Sequence, residues 1–364
     1  MKVVVSGYYG FDNCGDDAVL GCLITGLKER GINDITVFSN NPAETAKSYG
    51  VNAVSRNSFK KIFRVIKGSD AILSGGGSLF QDKTSSKSLW YYLAIVFIGV
   101  LLGKKVFIVG QGIGPIDKKF NRWLTSKILN KVNKITVRDE ASKEYLKDLN
   151  IRKEIIVAAD PVINLKPAED SQVKEILEKE NIDSNDKYMI ICTREWGNSE
   201  LSRVEIAKTA DRIAQDYGFK VVFLPFYYKK DEAESEKVSE YMKLPSNIIR
   251  GKYKPEEVMG IIKNSSLLIG VRFHSLVFAF ATSTPFVGIS YDPKIDGFLN
   301  SINMEGFKIE KFTSDDIVKY VNMIFCKKED YINNIRKYAD ELKQRSEYNF
   351  EIFDEYIKHE VQKK

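Results

Sequence analysis

The sequence has little cysteine and histidine, with 4 cysteines and 2 histidines among its 364 residues. No two cysteines form a Cys-x-x-Cys pair, so we expect neither a disulfide framework nor a metal site, and no cofactor. The first residues, Met-Lys-Val-Val-Val-Ser-Gly, lack the long apolar stretch and the small-residue cleavage site of a signal peptide. Together these absences predict a protein of the reducing cytoplasm.

Neither sign of charge is in large excess. The 55 basic and 49 acidic residues give a formal net charge of +6, which is too small a bias for a nucleic-acid-binding protein but favours anionic ligands or an acidic membrane face. With 43% hydrophobic and 29% charged residues, the composition excludes disordered and fibrous chains. The length predicts about two domains.

No apolar run is long enough to span a bilayer. The longest, Leu89–Gly103, covers 15 positions, whereas a spanning helix needs about 20 residues. We expect a helix buried inside a large α/β domain. The alternative is a helix that lies partly in a membrane surface, with Lys87, Lys104 and Lys105 at the headgroups.

Short apolar runs rich in β-branched residues alternate with helical stretches. The predicted strands of the first half are Lys2–Ser6, Ile35–Phe38, Ala71–Ser74, Val106–Val109 and Ile135–Val137. After a polar, acidic stretch at residues 166–187, further strands are predicted at Tyr188–Cys192, Lys220–Leu224, Ser266–Gly270 and Phe286–Ile289. Strands that alternate with helices predict parallel sheets built from βαβ units.

This alternation predicts an α/β protein of two facing doubly wound domains, at residues 1–170 and 186–330, followed by a helical segment at 331–364. Apolar residues recur at helical spacing through that last segment, and we expect it to pack back on the first domain. Doubly wound sheets bind ligands at the carboxyl ends of their strands, so we expect a cleft between the two domains there.

Glycine-rich loops follow three predicted strands of the first domain, at Gly7–Asp17, Gly75–Gly77 and Gly110–Gly114. Such loops let the backbone approach a ligand, and the N-terminus of the helix that follows favours an anion. We interpret Gly75, Gly76 and Gly77 as a backbone cradle for an anion or a sugar, because three consecutive glycines cost too much chain entropy to serve packing.

The first of these loops also carries polar side chains, Asn13, Asp16 and Asp17, which we predict to contact the substrate. The two aspartates precede a helix predicted at Ala18–Arg30. They either cap that helix or bind sugar hydroxyls and accept a proton, and the sequence leaves both interpretations open.

Arginines follow strands in both domains. Arg138 comes directly after the strand that ends at Val137, and Arg194 follows the strand that ends at Cys192. A planar guanidinium suits a carboxylate or a phosphate, so we predict that both bind an anion. The alternative for Arg138 is a surface ion pair with Asp139. Trp196 offers a stacking face for a sugar.

The most informative segment is Gly270–Leu276, which reads GVRFHSL. Arg272 and His274 are two positions apart, so both would point to one side of an extended backbone. The other histidine, His359, lies in a charged helix near the C-terminus, so His274 is the predicted acid or base; the alternative is that it caps the next helix. We predict Lys294, after the next strand, at the same edge.

These segments, in this order, resemble the polysaccharide pyruvyl transferase family, and most closely its bacterial CsaB-like branch, which acts on secondary cell-wall polymers. The family's arginine–leucine–histidine triplet reads Arg272-Phe273-His274 here. The matching segments, within residues 6–298, are GYYGFDNCGDDAVL, GGGSLFQD, GQGIGP, VRDEAS, AADPV, TREW, GVRFHSLVFA and SYDPKIDGF.

The resemblance implies a glycosyltransferase-B-like fold and phosphoenolpyruvate as the donor. It implies a lipid-diphosphate-linked oligosaccharide as the acceptor, with the pyruvate ketal formed on N-acetylmannosamine, and hence peripheral contact with the inner membrane face. It assigns catalytic roles to Arg138, Arg272 and His274 and a binding role to Lys294.

Two other functions remain open. A sugar-nucleotide-dependent glycosyltransferase would use the same architecture, with the basic residues of the second domain on a diphosphate. A non-catalytic sugar-binding protein could keep the fold, but the presence of His274 argues against it. We expect no nucleic-acid partner.

Overall fold

A computed structural model of the chain describes residues 1–83, 85–197 and 200–361, with the backbone alone at residue 355 and residues 357–361. The chain forms two compact units. The first comprises Met1–Asn164 together with the residues from Glu341 onward, and the second comprises Leu165–Asp340. Each unit is built on one parallel sheet.

The first unit contains a seven-stranded sheet. Its strands are β1 (Lys2–Ser6), β2 (Asp34–Ser39), β3 (Asn52–Ser55), β4 (Ala71–Gly75), β5 (Lys105–Gln111), β6 (Lys134–Val137) and β7 (Ile155–Val157). Their order is β3-β2-β1-β4-β5-β6-β7, so the winding direction reverses between β1 and β4. In open parallel sheets, ligands bind outside the carboxyl ends of the strands at such a reversal.

Helices follow most strands of the first unit. They are α1 (Cys14–Glu29), α2 (Pro42–Tyr49), α3 (Phe59–Gly68), α4 (Ser86–Leu101), α5 (Lys119–Leu129) and α6 (Glu140–Asp148), with a 3₁₀ turn at Pro161–Asn164. Helices α3, α4 and α5 lie side by side, and their buried apolar side chains share one core with Val4, Ile72 and Ile108 of the sheet. The C-terminal helix packs against α1, where Phe350 lies against Gly26.

The second unit repeats this scheme. Its strands are β8 (Tyr188–Cys192), β9 (Lys220–Phe223), β10 (Ser246–Ile248), β11 (Leu267–Gly270), β12 (Phe286–Ser290) and β13 (Gly306–Lys308), in the order β10-β9-β8-β11-β12-β13. Its helices are α7 (Asp170–Lys179), α8 (Glu200–Tyr217), α9 (Lys230–Ser239), α10 (Pro255–Lys263), α11 (Phe273–Ala281), α12 (Pro293–Ser301) and α13 (Ser314–Cys326). The last helix, α14 (Lys328–Val361), begins in this unit and continues into the first. The prediction of two doubly wound α/β domains with a helical C-terminus is confirmed.

The longest apolar run of the sequence forms α4. Leu89, Leu93 and Val96 are buried in the core, as expected for a helix inside an α/β domain, whereas Trp90 and Phe97 face outward and are exposed. Within the described parts of the chain, no helix is both long enough and apolar enough to cross a membrane.

The two lysines after α4 have partners within the first unit. Lys104 Nζ donates a hydrogen bond to Ser69 O at 2.7 Å, and Lys105 Nζ lies 4.9 Å from the centre of the Tyr356 ring. Both lysines are half-buried. Lys104 and Lys105 therefore do not lie together at an outer surface, whereas Lys87 at the start of α4 is exposed. The membrane-surface alternative stays a prediction for the exposed side of α4.

Candidate functional site

The loop after β1 leads into α1, and Asn13 caps that helix. Asn13 Oδ1 accepts a hydrogen bond from Gly15 N at 3.2 Å. Asp16 and Asp17 occupy the first turn, where the helix dipole favours negative charge. The side-chain cap therefore comes from Asn13, and α1 begins at Cys14, earlier than the predicted Ala18.

Tyr9, which the sequence patterns do not single out, joins this loop to the end of β4. Its hydroxyl donates a hydrogen bond to Gly75 O at 2.6 Å. Burial raises the pKa of Tyr9 well above its ordinary value, and the negative charges of Asp16 and Asp17 add to that effect. Tyr9 is therefore a neutral hydrogen-bond donor that links two of the predicted ligand-binding loops.

The glycines Gly75–Gly77 pack directly against α1. A Cβ atom on the first or second glycine would overlap Leu23 or Val19, and one on the third would lie 3.0 Å from Asp16 Oδ1. The second and third glycines also have φ values of +73° and +69°. The expectation that these glycines do not serve packing is wrong, because only residues without a Cβ allow this approach. Their contact with substrate stays a prediction.

Arg138 lies at the meeting point of four segments of the first unit, and its side chain is 4% exposed. Nη2 donates to Ser78 Oγ at 3.3 Å, and the guanidinium forms ion pairs with Asp139 at 3.4 Å and Asp160 at 3.6 Å. A Cβ on Gly112 would lie 2.5 Å from Nη2, so a glycine there makes room for the guanidinium. The predicted pair with Asp139 is present, but it belongs to a buried cluster.

The loop that carries Asp160 is fastened to the C-terminal helix by Asn349, which is fully buried. Asn349 Nδ2 donates to Ala159 O at 2.8 Å, and Oδ1 accepts from Thr136 Oγ1 at 2.6 Å. The threonine hydroxyl in turn accepts from Gly110 N at 2.8 Å. A residue near the end of the chain thus helps to position the carboxylate that faces Arg138.

In the second unit, Arg272 immediately precedes α11 and forms a two-pronged ion pair with Asp231. Nε donates to one carboxylate oxygen at 2.8 Å, and Nη2 donates to the other. Asp231 is buried and also accepts hydrogen bonds from Phe226 N and Tyr227 N, at 3.2 and 2.8 Å. Nε and Nη2 of Arg272, a residue predicted to bind substrate, are therefore already bound to Asp231.

His274 lies in the first turn of α11, which begins at Phe273. Because Arg272 is extended and His274 is already helical, the two side chains do not share one side of an extended strand, and that interpretation is wrong. Arg272 holds the N-cap position, so His274 is not the cap. The imidazole is half-buried with Nε2 inside, and its ring stands edge-on to Phe273 with centres 5.1 Å apart.

Arg194, Trp196 and Lys294 surround Tyr291. Arg194 Nη1 donates a hydrogen bond to Tyr291 OH, and its guanidinium carbon lies 4.3 Å from the centre of the tyrosine ring. The Trp196 ring is 4.7 Å from the same ring, and Lys294 Nζ is 5.9 Å from it. Lys294 also lies 4.0 Å from Asp292. Tyr291 therefore organises three predicted binding residues, although the sequence patterns do not single it out.

The charge of Arg194 is held in unfavourable surroundings. Burial lowers the pKa of its guanidinium, and the positive charge of Arg272 lowers it further, although Tyr291, Asp231 and Asp292 act in the opposite direction. An anionic ligand here would offset both the loss of hydration and the repulsion between the arginines. The N-termini of α11 and α12 add further positive potential.

The predicted site residues thus form one group in each unit, at the carboxyl ends of the strands. The group of the first unit comprises Asn13, Asp16, Asp17, Gly75, Gly76, Gly77 and Arg138. The group of the second unit comprises Arg194, Trp196, Arg272, His274 and Lys294. Among the residues that the structure describes, no cluster of three or more His, Cys, Asp or Glu side chains could hold a metal ion.

The sequence is similar to those of known proteins. A sequence model of the family described as polysaccharide pyruvyl transferase matches residues 13–293 of the chain. Amylovoran biosynthesis protein AmsJ of Erwinia amylovora is 21% identical over 402 residues, which cover 94% of this chain and 96% of that protein.

Solved structures with the same fold include sugar-processing enzymes. A glycosyltransferase from Rickettsia africae ESF-5 has a TM-score of 0.64 at 14% identity and covers 98% of this chain and 99% of its own. A UDP-GlcNAc 2-epimerase from Neisseria meningitidis has a TM-score of 0.58 at 14% identity and covers 92% of this chain and 94% of its own. At these identities the likeness establishes the fold, which is that of GT-B glycosyltransferases and related epimerases.

Proposed function

The chain belongs to the polysaccharide pyruvyl transferase family and is a pyruvyltransferase of polysaccharide biosynthesis, and we propose that it takes pyruvate from phosphoenolpyruvate and forms a ketal on a lipid-linked sugar. We further propose that it acts in the CsaB-like manner, on N-acetylmannosamine of a lipid-diphosphate-linked cell-wall precursor. The membership of the family argues against a sugar-nucleotide-dependent glycosyltransferase.

The proposal of phosphoenolpyruvate as the donor rests on the environment of Arg194. Its guanidinium is half-buried near Arg272 and donates a hydrogen bond to the hydroxyl of Tyr291. Phosphoenolpyruvate brings a carboxylate and a phosphate, and either group would stabilise this cation. Lys294 Nζ, 5.9 Å from the centre of the Tyr291 ring, provides a further positive charge for the same ligand.

The reaction needs a group that protonates the methylene carbon of the donor and groups that bind the departing phosphate. In its protonated form, His274 gives a proton to the methylene carbon, which leaves positive charge at C2. A sugar hydroxyl adds to C2, the bond from C2 to the phosphate oxygen breaks, and a second hydroxyl closes the ketal. Two hydroxyl protons are released in all; one balances the proton given to carbon, and the other leaves with the phosphate.

The arginines would stabilise the charge that develops on the donor. We propose Arg272 and Arg138 as the residues that bind its carboxylate and phosphate, together with Arg194. Asp231 and Asp160 already orient the first two guanidinium groups, so each is held in one geometry before substrate binds. Such preorganised charge lowers the barrier more than a mobile lysine would.

We propose that loops of the first unit bind the reacting hydroxyl of the acceptor. Asp16 lies beside Gly77, and Asn13 caps the same helix. We propose that Asp16 or Asp17 accepts the proton of the attacking hydroxyl and that Trp196 stacks on a sugar ring. The lipid-linked acceptor would bring the enzyme to the inner membrane face as a peripheral protein.

The decisive experiment supplies phosphoenolpyruvate and a synthetic lipid-diphosphate disaccharide that contains N-acetylmannosamine. We expect the acceptor to gain the mass of one pyruvate ketal with release of one phosphate. Heat stabilisation by phosphoenolpyruvate, compared with UDP-sugars, tests the donor separately. Stabilisation by a UDP-sugar alone, without ketal formation, would favour the glycosyltransferase.

A further inference from the structure

Exposed apolar side chains are concentrated on one part of the first unit. Among the described residues, seven of the twelve large hydrophobic side chains that are exposed lie on α3, α4 and α5. These three helices are neighbours on one side of the sheet. We call their outer side the α3–α5 face.

Helix α4 presents a continuous stripe along this face. Its exposed positions, Lys87, Trp90, Ala94, Phe97 and Leu101, are spaced alternately three and four residues apart, so they share one side of the helix. Four of the five are apolar. A soluble globular domain usually exposes a polar stripe at such positions, and a sustained apolar one marks an interaction surface.

Aromatic side chains extend the stripe onto α5. Trp90 Nε1 donates a hydrogen bond to Asn121 Oδ1 at 2.8 Å, which fixes the indole against α5. Next to Asn121, the rings of Phe120 and Trp123 have centres 5.8 Å apart, and both are more than half exposed. The aromatic pair on α5 is therefore next in sequence to the residue that holds the Trp90 indole of α4.

Helix α3 adds a second row on the other side of α4. Ile62 and Ile66 enter the core, whereas Phe59 and Phe63 are 70% and 47% exposed. The remaining exposed positions of this helix are mostly basic: Lys60, Lys61, Arg64 and Lys67. Phenyl rings and cations thus alternate over the same outer side.

All charged residues of the three helices that form the α3–α5 face are basic. The three helices contain eight basic residues and no acidic residue, whereas the whole chain has a formal net charge of only +6. The rest of the chain is therefore slightly acidic. One of the eight, Arg122, is paired with Asp148 of α6 at 2.6 Å. The basic bias of the protein thus lies on the surface that also exposes its aromatic side chains.

We propose that the α3–α5 face binds the surface of an anionic lipid bilayer. Aromatic rings with neighbouring lysines and arginines suit the headgroup region, where the rings enter the interface and the cations contact lipid phosphates. A second copy of the chain is a poor partner, because two faces of the same charge repel each other. The proposal deepens the peripheral location given above and rests on the proposed function for its lipid-linked acceptor.

The position of the α3–α5 face in the fold suits a lipid-linked acceptor. In βαβ units each helix begins at the carboxyl edge of the sheet, so Phe59, Trp90 and Phe120 lie towards the edge that carries Gly75–Gly77 and Arg138. A bilayer on this face would therefore hold a lipid-diphosphate headgroup near the loops assigned to the acceptor.

Co-sedimentation with vesicles tests the proposal. We expect wild-type protein to bind vesicles of phosphatidylglycerol and phosphatidylcholine at low salt and to dissociate from them at high salt. It should not bind vesicles of phosphatidylcholine alone. The variants Lys60→Glu/Lys61→Glu and Phe120→Ser/Trp123→Ser should each weaken binding about tenfold or more. Matched controls on the second unit, Lys174→Glu/Lys179→Glu and Leu201→Ser/Tyr241→Ser, should bind like wild type.

The other outcomes overturn the proposal. Absence of binding to anionic vesicles, or equal effects of the face variants and their controls, would show that this face does not bind lipid. Loss of a dimer in the face variants by analytical ultracentrifugation would assign the face to a second copy instead. Pyruvyl transfer to a water-soluble acceptor, measured without lipid, should be unchanged in the face variants; its absence from wild type would contradict the proposed function and leave the vesicle result valid.

Discussion

The guanidinium of Arg272 is oriented by the carboxylate of Asp231, which is 41 positions away in the chain. The pair with Asp231 is two-pronged, and the same carboxylate also holds the backbone at Phe226 and Tyr227. One side chain thus fixes both a predicted catalytic arginine and the loop after β9. Substitution of either partner is expected to affect folding as well as substrate binding.

Asp231→Asn should destabilise the protein by about 3–5 kcal/mol, because removal of one charge leaves the other buried without compensation. Urea unfolding followed by circular dichroism measures this loss. The control is Glu232→Gln in the same helix, whose partner Arg250 is more than half exposed, so its loss of stability should be much smaller. Equal small losses in both variants would mean that the Asp231 pair contributes little.

His274→Ala should lower the rate of ketal formation by about 10²–10⁴-fold, since general acid catalysis is lost. Calorimetry should show nearly unchanged affinity for phosphoenolpyruvate, because the arginines remain. His359→Ala is the control; its side chain lies outside the described residues, and we expect full activity. Full activity in His274→Ala would exclude the histidine as proton donor.

At this scale the sequence points to residues that are rare or follow strand ends, and it does not reveal their partners. His274 stands out because the chain has only 2 histidines. Asp231 lies in α9, whose sequence KDEAESEKVS reads as a solvated surface helix, yet Asp231 and Glu234 are buried. Asp160 and Tyr291 are likewise brought into place by tertiary contacts that no local pattern encodes.

At the scale of elements, the strands that the patterns predict are the central ones of both sheets. The four strands without a prediction, β3, β7, β10 and β13, are the sheet edges. A central strand is covered by helices on both faces and needs a continuous apolar run. The edge strands are three or four residues long, and only Ile155 among their residues is buried, so their sequences resemble loops.

The junction between β4 and α1 should be intolerant of added atoms. Gly76→Ala places a methyl group into Val19 at a backbone with φ of +73°, so we expect a loss of about 2–4 kcal/mol from crowding and strain together. Thermal unfolding measures it. Gly103→Ala is the matched control, because Gly103 has φ of +67° but open space around its Cα.

A second variant separates the two causes. Val19→Ala combined with Gly76→Ala should recover part of the lost stability, because the smaller side chain removes the overlap but leaves the strained backbone. No recovery in the double variant, or an equal loss at Gly103, would assign the whole effect to backbone conformation.

At the scale of the whole molecule, Asn349 connects α14 to the rest of the first unit by its hydrogen bonds with Ala159 and Thr136. Asn349→Leu should cost about 2–4 kcal/mol, because the buried carbonyl of Ala159 loses its donor and the hydroxyl of Thr136 loses its acceptor. Hydrogen exchange should accelerate at residues 158–163. Tyr348→Ala, in the same helix but partly exposed, should leave both measurements nearly unchanged; similar effects in both variants would point to general loosening of α14.

The hydrogen bond between Thr136 and Asn349 also sets an order of events on the ribosome, since it joins residues 213 positions apart. At ordinary rates of translation, roughly 10 to 40 seconds separate the synthesis of these two residues. During that interval the sheet of the first unit has left the ribosome, while the second unit is still being made. The part of the protein that is synthesised first is therefore the last to be finished, and until α14 arrives its Asp160 loop and the surface around Gly26 are open to chaperones and proteases.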